Sequence, residues 1–93
     1  MFIVYTMQNC PDCKNAKELL TQKEERFEER QAGKDFTKED LLDLLGPVRS
    51  LPQIVLVDDF GHWHVGGFKD LRNYFSDAGT DVRKLEFKGQ QVI

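Results

Sequence analysis

Phe2-Ile3-Val4-Tyr5-Thr6-Met7-Gln8-Asn9-Cys10-Pro11-Asp12-Cys13 begins with β-branched and aromatic residues and ends on the only two cysteines of a 93-residue chain. Residues 2 to 5 form the short apolar run of a buried strand. Pro11 then suits the first turn of a helix, where a missing N–H breaks no intrahelical bond. That places Cys10 at the N-cap and Asp12 near the positive end of the helix dipole. Cys13, Ala16, Leu19 and Leu20 fall along one side, with Lys14, Lys17 and Glu18 among the solvated positions, so the spacing predicts a helix to about Lys23. Strand, cysteine turn, helix is the frame into which the rest must fit.

So close a cysteine pair has several meanings: a structural staple, half of a metal site, a redox couple, or two plain buried thiols. A disulfide closing so short a loop constrains the unfolded chain less than a long one would. Zinc would need Cys10 and Cys13 with His62 and His64, a familiar ligand set, although His-x-His within a strand departs from the usual wider histidine spacing. The redox reading has a physical purpose. At the N-cap, the Cys10 sulfur lies beside unpaired helical N–H groups that stabilise a thiolate. One turn on, Cys13 can attack Cys10 once that sulfur is in a mixed disulfide. Cys10 is then the nucleophile and Cys13 the resolving thiol.

Composition bounds the remaining classes. The chain suits one domain with one modest core. At 40% hydrophobic and 31% charged residues it reads as an ordinary globular protein, and a net charge of −3 gives no basic excess for nucleic acid or a membrane surface. The apolar start is shorter than the ~7 to 15 residues of a signal-peptide core and lacks a basic flank. Ile54-Val55-Leu56-Val57 falls far below the ~18 apolar residues of a membrane span. The expectation is a cytoplasmic chain, in a compartment that keeps structural disulfides rare and so favours a catalytic or metal-binding pair.

Further along, a short exposed strand is expected near Arg26 to Glu29, around the lone Phe27. Thr37 can cap a second helix, with Asp40 at its third position, Phe36 and Leu41 at staple spacing, and Gly46-Pro47 ending it. Leu41, Leu42, Leu44 and Leu45 supply its apolar stripe. Gln53 to Val57 reads as a buried strand, Asp58-Asp59-Phe60-Gly61 as a turn and His62 to Val65 as the return strand, broken by Gly66-Gly67. A third helix is expected from Phe68 to Ser76, closed by Asp77-Ala78-Gly79. The order is β-α-β-α-β-β-α. Residues 80 to 93, where Leu85 and Phe87 alternate with polar neighbours, read as a C-terminal extension, either a strand or a flexible tail.

Three motifs in this order resemble the glutaredoxin family. Cys10-Pro11-Asp12-Cys13 resembles its Cys-Pro-x-Cys site, Ser50-Leu51-Pro52-Gln53-Ile54 its Thr-Val-Pro-Gln-Ile loop, and Gly66-Gly67-Phe68-Lys69-Asp70-Leu71 its Gly-Gly-x-x-Asp-Leu segment. The nearest likeness is to small bacteriophage members, through Met1-Phe2, Asn15-Ala16-Lys17, Leu19-Leu20-Thr21 and Tyr74-Phe75. The resemblance implies a thioredoxin-like α/β fold over residues 1 to 79, with a four-stranded mixed sheet flanked by helices. By the same likeness Pro52 is cis and faces the cysteines, and Leu51 offers its backbone to a bound peptide or glutathione. Gly67 and Phe68 border the ligand, Lys69 contributes a backbone N–H to the γ-glutamyl carboxylate, and Asp70 takes the γ-glutamyl amine.

Two departures stand out. Where many glutaredoxins carry a lysine for the glycyl carboxylate, this chain has Met7, and Arg49 or Lys14 is the candidate replacement. Pro11 and Asp12 are expected to set the Cys10 pKa, Asp12 by placing a negative charge beside the thiolate where the family often has tyrosine. The resemblance implies a glutathione-dependent dithiol–disulfide oxidoreductase and electron-transport protein. It would reduce protein disulfides and glutathione mixed disulfides and donate electrons to ribonucleotide reductase. Glutathione is a cosubstrate, no cofactor or metal is bound, and the protein acts as a monomer, in a host cytoplasm if phage-encoded. The alternatives are a thioredoxin-like protein served by a reductase and a carrier of a glutathione-ligated [2Fe-2S] cluster.

Overall fold

The computed structural model describes residues 1–76 and 79–86. Its elements run β1 (Phe2–Thr6), α1 (Pro11–Gln22), β2 (Phe27–Gln31), α2 (Lys38–Leu45), β3 (Gln53–Asp58), β4 (Gly61–Gly66), α3 (Phe68–Tyr74) and β5 (Arg83–Lys84). The first seven follow the order expected from the sequence.

The strands form one mixed sheet in the order β2-β1-β3-β4-β5. β1 pairs parallel with β2, and the parallel partner is reached through α1, as a parallel pair requires a crossover. On its other side β1 pairs antiparallel with β3, which turns back into β4 as a hairpin. The sheet has five strands where four were expected. β5 is only Arg83–Lys84, held opposite His64 and Trp63, and its own sequence has no apolar run to announce it.

β1 is buried along its whole length because helices cover both faces of the sheet. Phe2 and Val4 point to one side, where they pack with Ala16 and Leu20 of α1, Leu71 of α3, Ile54 and Val65. Ile3 and Tyr5 point to the other, against Leu41 and Leu45 of α2, Phe36, Val55 and Leu85. Each fully buried aromatic or branched side chain there is worth about 1.5–3 kcal/mol relative to exposure. The period of two along one strand thus divides the core into two layers.

Helix ends follow local chemistry. Thr37 and Asp40 form a reciprocal capping box, the Thr37 N–H donating to Asp40 Oδ2 at 3.0 Å and the Asp40 N–H to Thr37 Oγ1 at 3.1 Å. Gly46 ends α2 at a φ of 82°, a left-handed conformation that costs glycine little. α3 stops at Tyr74, with Phe75 as its C-cap, short of the expected Ser76. Between β3 and β4 the register slips at Ile54/Val55, so that Ile54 faces Gly66 and Val55 faces His64. This bulge leaves Val65 in the α1/α3 layer immediately before the Gly66-Gly67 turn. Leu85 is buried, and its N–H donates to the His62 carbonyl at 2.8 Å. Asp77, Ala78 and Phe87, which the sequence placed in a turn and a strand pattern, lie outside the described residues.

Candidate active site

The cysteine turn sits at the end of the central strand. Asn9 takes a φ of 56°, a left-handed conformation that asparagine tolerates better than most residues, and the chain then enters α1 with Cys10 as N-cap and Pro11 in the first turn. The Cys13 N–H donates to Cys10 Sγ at 3.1 Å. That is the orphan helical donor a thiolate at Cys10 would use, reinforced by the helix dipole. The two sulfurs are joined in a disulfide, with Cα atoms 5.2 Å apart. They are not equivalent: Cys13 is 3% exposed, whereas Cys10 is partly open to solvent. An incoming sulfur therefore meets Cys10 first. Asp12 is exposed in the same first turn.

A distant loop approaches that sulfur, and a second turn abuts the loop. Leu51-Pro52 is a cis peptide, Pro52 is buried, and the Leu51 carbonyl oxygen lies 3.5 Å from Cys10 Sγ. Gly67 abuts the same loop: a Cβ there would stand 3.6 Å from the Pro52 carbonyl. Gly66 has a φ of 123°, and a Cβ on it would come within 2.9 Å of the Asp70 Cβ and run into its carboxylate. Only glycine fits there without displacing Asp70. The Asp70 carboxylate accepts the Gly67 N–H at 3.0 Å, so one of its oxygens serves the start of α3. Phe68 packs against the core with the Arg72 guanidinium 5.6 Å from its ring centre, and Lys69 is exposed.

Beside the loop runs a groove of about 380 Å³ lined by Met7, Lys38, Leu41, Leu42, Arg49 and Leu51 among others. Met7 is 49% exposed. Arg49 therefore shares a cavity with the position where a lysine was missing, while Lys14 borders a separate depression on α1 with Lys17 and Glu18. Lys38 was not anticipated. It begins α2, and nothing in the local sequence announces that the start of this helix faces the loop before Pro52.

The histidines take a different part from the zinc reading. Among the described residues no three His, Cys, Asp or Glu side chains come together as a metal set. His64 spends both ring nitrogens on protein groups, Nε2 at 2.7 Å from Gln53 Oε1 and Nδ1 at 3.2 Å from Arg83 Nη2. Burial pushes its pKa below the ordinary value, the Arg83 charge adds to this, and Asp70 opposes it.

The glutaredoxin family model matches residues 2–60. Glutaredoxin 1 of Rickettsia typhi is 35% identical over 82 residues, which cover 85% of this chain and 74% of that protein. The hybrid peroxiredoxin hyPrx5 of Haemophilus influenzae is 36% identical over 73 residues, 78% of this chain but only 28% of the longer protein. Among solved structures, glutaredoxin 1 of Francisella tularensis, determined with cacodylate, superposes with a TM-score of 0.62 at 25% identity, covering 78% of this chain and 88% of that one. The Brucella melitensis glutaredoxin gives 0.59 at 33% identity, with coverages of 78% and 75%. These neighbours share the thioredoxin-like arrangement of helices on a mixed sheet. With a disulfide at the N-terminus of its first helix and a matching sequence around it, the chain belongs to the glutaredoxin family.

Proposed function

We propose that this thiol–disulfide oxidoreductase draws its electrons from glutathione and works as a dithiol enzyme on protein disulfides and glutathione mixed disulfides. The observation that carries the reading is the position of Cys10 Sγ: at a helix N-terminus, 3.1 Å from a backbone N–H, more open than Cys13 and beside the Leu51-Pro52 loop. The Cys10 thiolate attacks one sulfur of the substrate disulfide, forming a mixed disulfide and expelling the other sulfur as a thiolate, which takes up a proton. Cys13 then attacks Cys10 Sγ and releases the second substrate thiol, leaving the Cys10–Cys13 disulfide. One glutathione thiolate opens that bond at Cys10. A second attacks the glutathione sulfur, giving glutathione disulfide and the reduced pair, so two electrons enter and two leave.

The ligand would lie across the Leu51-Pro52 and Gly66-Gly67 turns. Leu51 supplies backbone pairing, Gly67 and Phe68 the floor, Lys69 its N–H and Asp70 its remaining oxygen. Arg49, in the groove with Met7, is the better placed cation for the glycyl carboxylate. Glutathione is then a cosubstrate and no resident cofactor is required. A monomer acting in the cytoplasm and feeding ribonucleotide reductase completes the reading, on resemblance alone.

A second reading, reduction by a thioredoxin reductase, is favoured by one observation, the uncharged Met7. Turnover measured with glutathione and, separately, with a thioredoxin reductase separates the two. Sustained turnover with glutathione is expected; turnover with the reductase alone would replace the proposal.

A further inference from the structure

One chain of side-chain hydrogen bonds leads from the C-terminal strand to the loop beside Cys10. Arg83 Nη2 lies 2.6 Å from the Leu45 carbonyl, at the end of α2, and 3.2 Å from His64 Nδ1. That nitrogen carries two hydrogens and accepts none, so one hydrogen goes to each partner and His64 Nδ1 must be the acceptor. The proton of the neutral ring is then on Nε2, which donates to Gln53 Oε1 at 2.7 Å. With its oxygen so used, Gln53 donates through Nε2 to the Ser50 carbonyl at 3.0 Å. Gln53 is 7% exposed and its amide is engaged at both ends, so its orientation is set. The chain ties Leu45, the last residue of α2, to Ser50 within the loop that leads to β3, and Leu51 follows Ser50 directly.

We infer that His64 is a positioning residue for the candidate site: through Arg83 and Gln53 it ties the end of α2 to Ser50 in the α2–β3 loop, and so the placement of Leu51 against Cys10. The arrangement needs the neutral ring. A proton on Nδ1 would face the Arg83 N–H and break that link. The charged groups acting on His64 are Arg83 from β5, which opposes its protonation, and Asp70 from α3, which favours it more weakly; β3 presents the neutral Gln53. The tie is therefore complete at neutral pH and opens as pH falls through a value below the ordinary histidine range. Its effect on turnover rests on the function proposed above, whereas the tautomer and the coupling to the loop do not.

NMR on the wild-type oxidised protein reads the coupling without activity. His64 should show the Nε2–H tautomer, and the Ser50 and Leu51 amide signals should move with its ring as it titrates. In His64→Gln that movement should vanish. An Nδ1–H tautomer, or loop amides indifferent to the His64 titration, would overturn the inference. In turnover at neutral pH, His64→Leu should raise KM for a glutathionylated substrate about fivefold, the size of one lost hydrogen bond, with kcat kept. His64→Gln, whose amide can still donate to Gln53, should restore KM and remove its rise at low pH. A folded His64→Leu with wild-type KM also overturns it. Absence of glutathione turnover in the wild type would count against the proposed function, and the NMR measurement would still decide the role of His64.

Discussion

Asp12 is the charged residue nearest to Cys10 in the chain. It is exposed in the first turn of α1, where an acidic side chain suits the helix dipole, and a negative charge near a thiol is expected to oppose its ionisation. In Asp12→Asn the Cys10 thiol of the reduced protein should titrate at lower pH, read by thiolate absorbance; an unchanged titration would remove Asp12 from the account. Gly66 is constrained differently. Its φ of 123° and the Asp70 side chain under its missing Cβ make Gly66→Ala costly by about 2 kcal/mol, measured by denaturant unfolding. Wild-type stability in that variant would show that the turn can relax. At this scale the sequence made Cys10, Pro11, Cys13 and the glycine turn legible, because spacing and backbone preference are local. His64, Gln53 and Lys38 were not, because each takes its part from a residue that is remote in the chain.

Elements follow the same division. α2 was readable end to end, from the Thr37 cap to Gly46, since its signals lie within one short stretch. Thr37→Ala should remove the capping box and destabilise the protein by about 1 kcal/mol in thermal or denaturant unfolding. The tie between α1 and β2 was hidden. Glu29 accepts from Thr6 Oγ1 at 2.7 Å and from Lys17 Nζ at 3.0 Å. Burial pushes the Glu29 pKa up, but these hydrogen bonds outweigh it and hold the group below its usual range. A carboxylate whose folded pKa is depressed stabilises the fold above its unfolded value and loses that contribution as pH falls through the folded value. Stability should accordingly decline on the acid side, and Glu29→Gln should flatten that decline; an identical acid profile in the variant would contradict it. The sequence left residues 80 to 93 as strand or tail; β5 is Arg83–Lys84, two charged residues that carry no strand pattern of their own and pair with the edge of β4.

At the scale of the whole molecule, the fold brings three separated segments together: the end of β1 with the start of α1, the loop before β3, which reaches Cys10 Sγ, and the turn before α3, which abuts that loop. Their order could be read from the sequence by resemblance. Their mutual distances could not, since these depend on a sheet in which β1 lies between β2 and β3 and on two core layers that fix α1, α2 and α3 against it. Under the proposed function, this convergence makes Cys10 the attacking sulfur and Cys13 the resolving one. Intact-protein mass measured while each serine variant turns over a glutathionylated substrate tests it most directly. Cys13→Ser should accumulate one glutathione on Cys10 and continue to remove glutathione from substrate, while Cys10→Ser should carry no adduct and be inactive. Activity in Cys10→Ser, with the adduct on Cys13, would contradict the account.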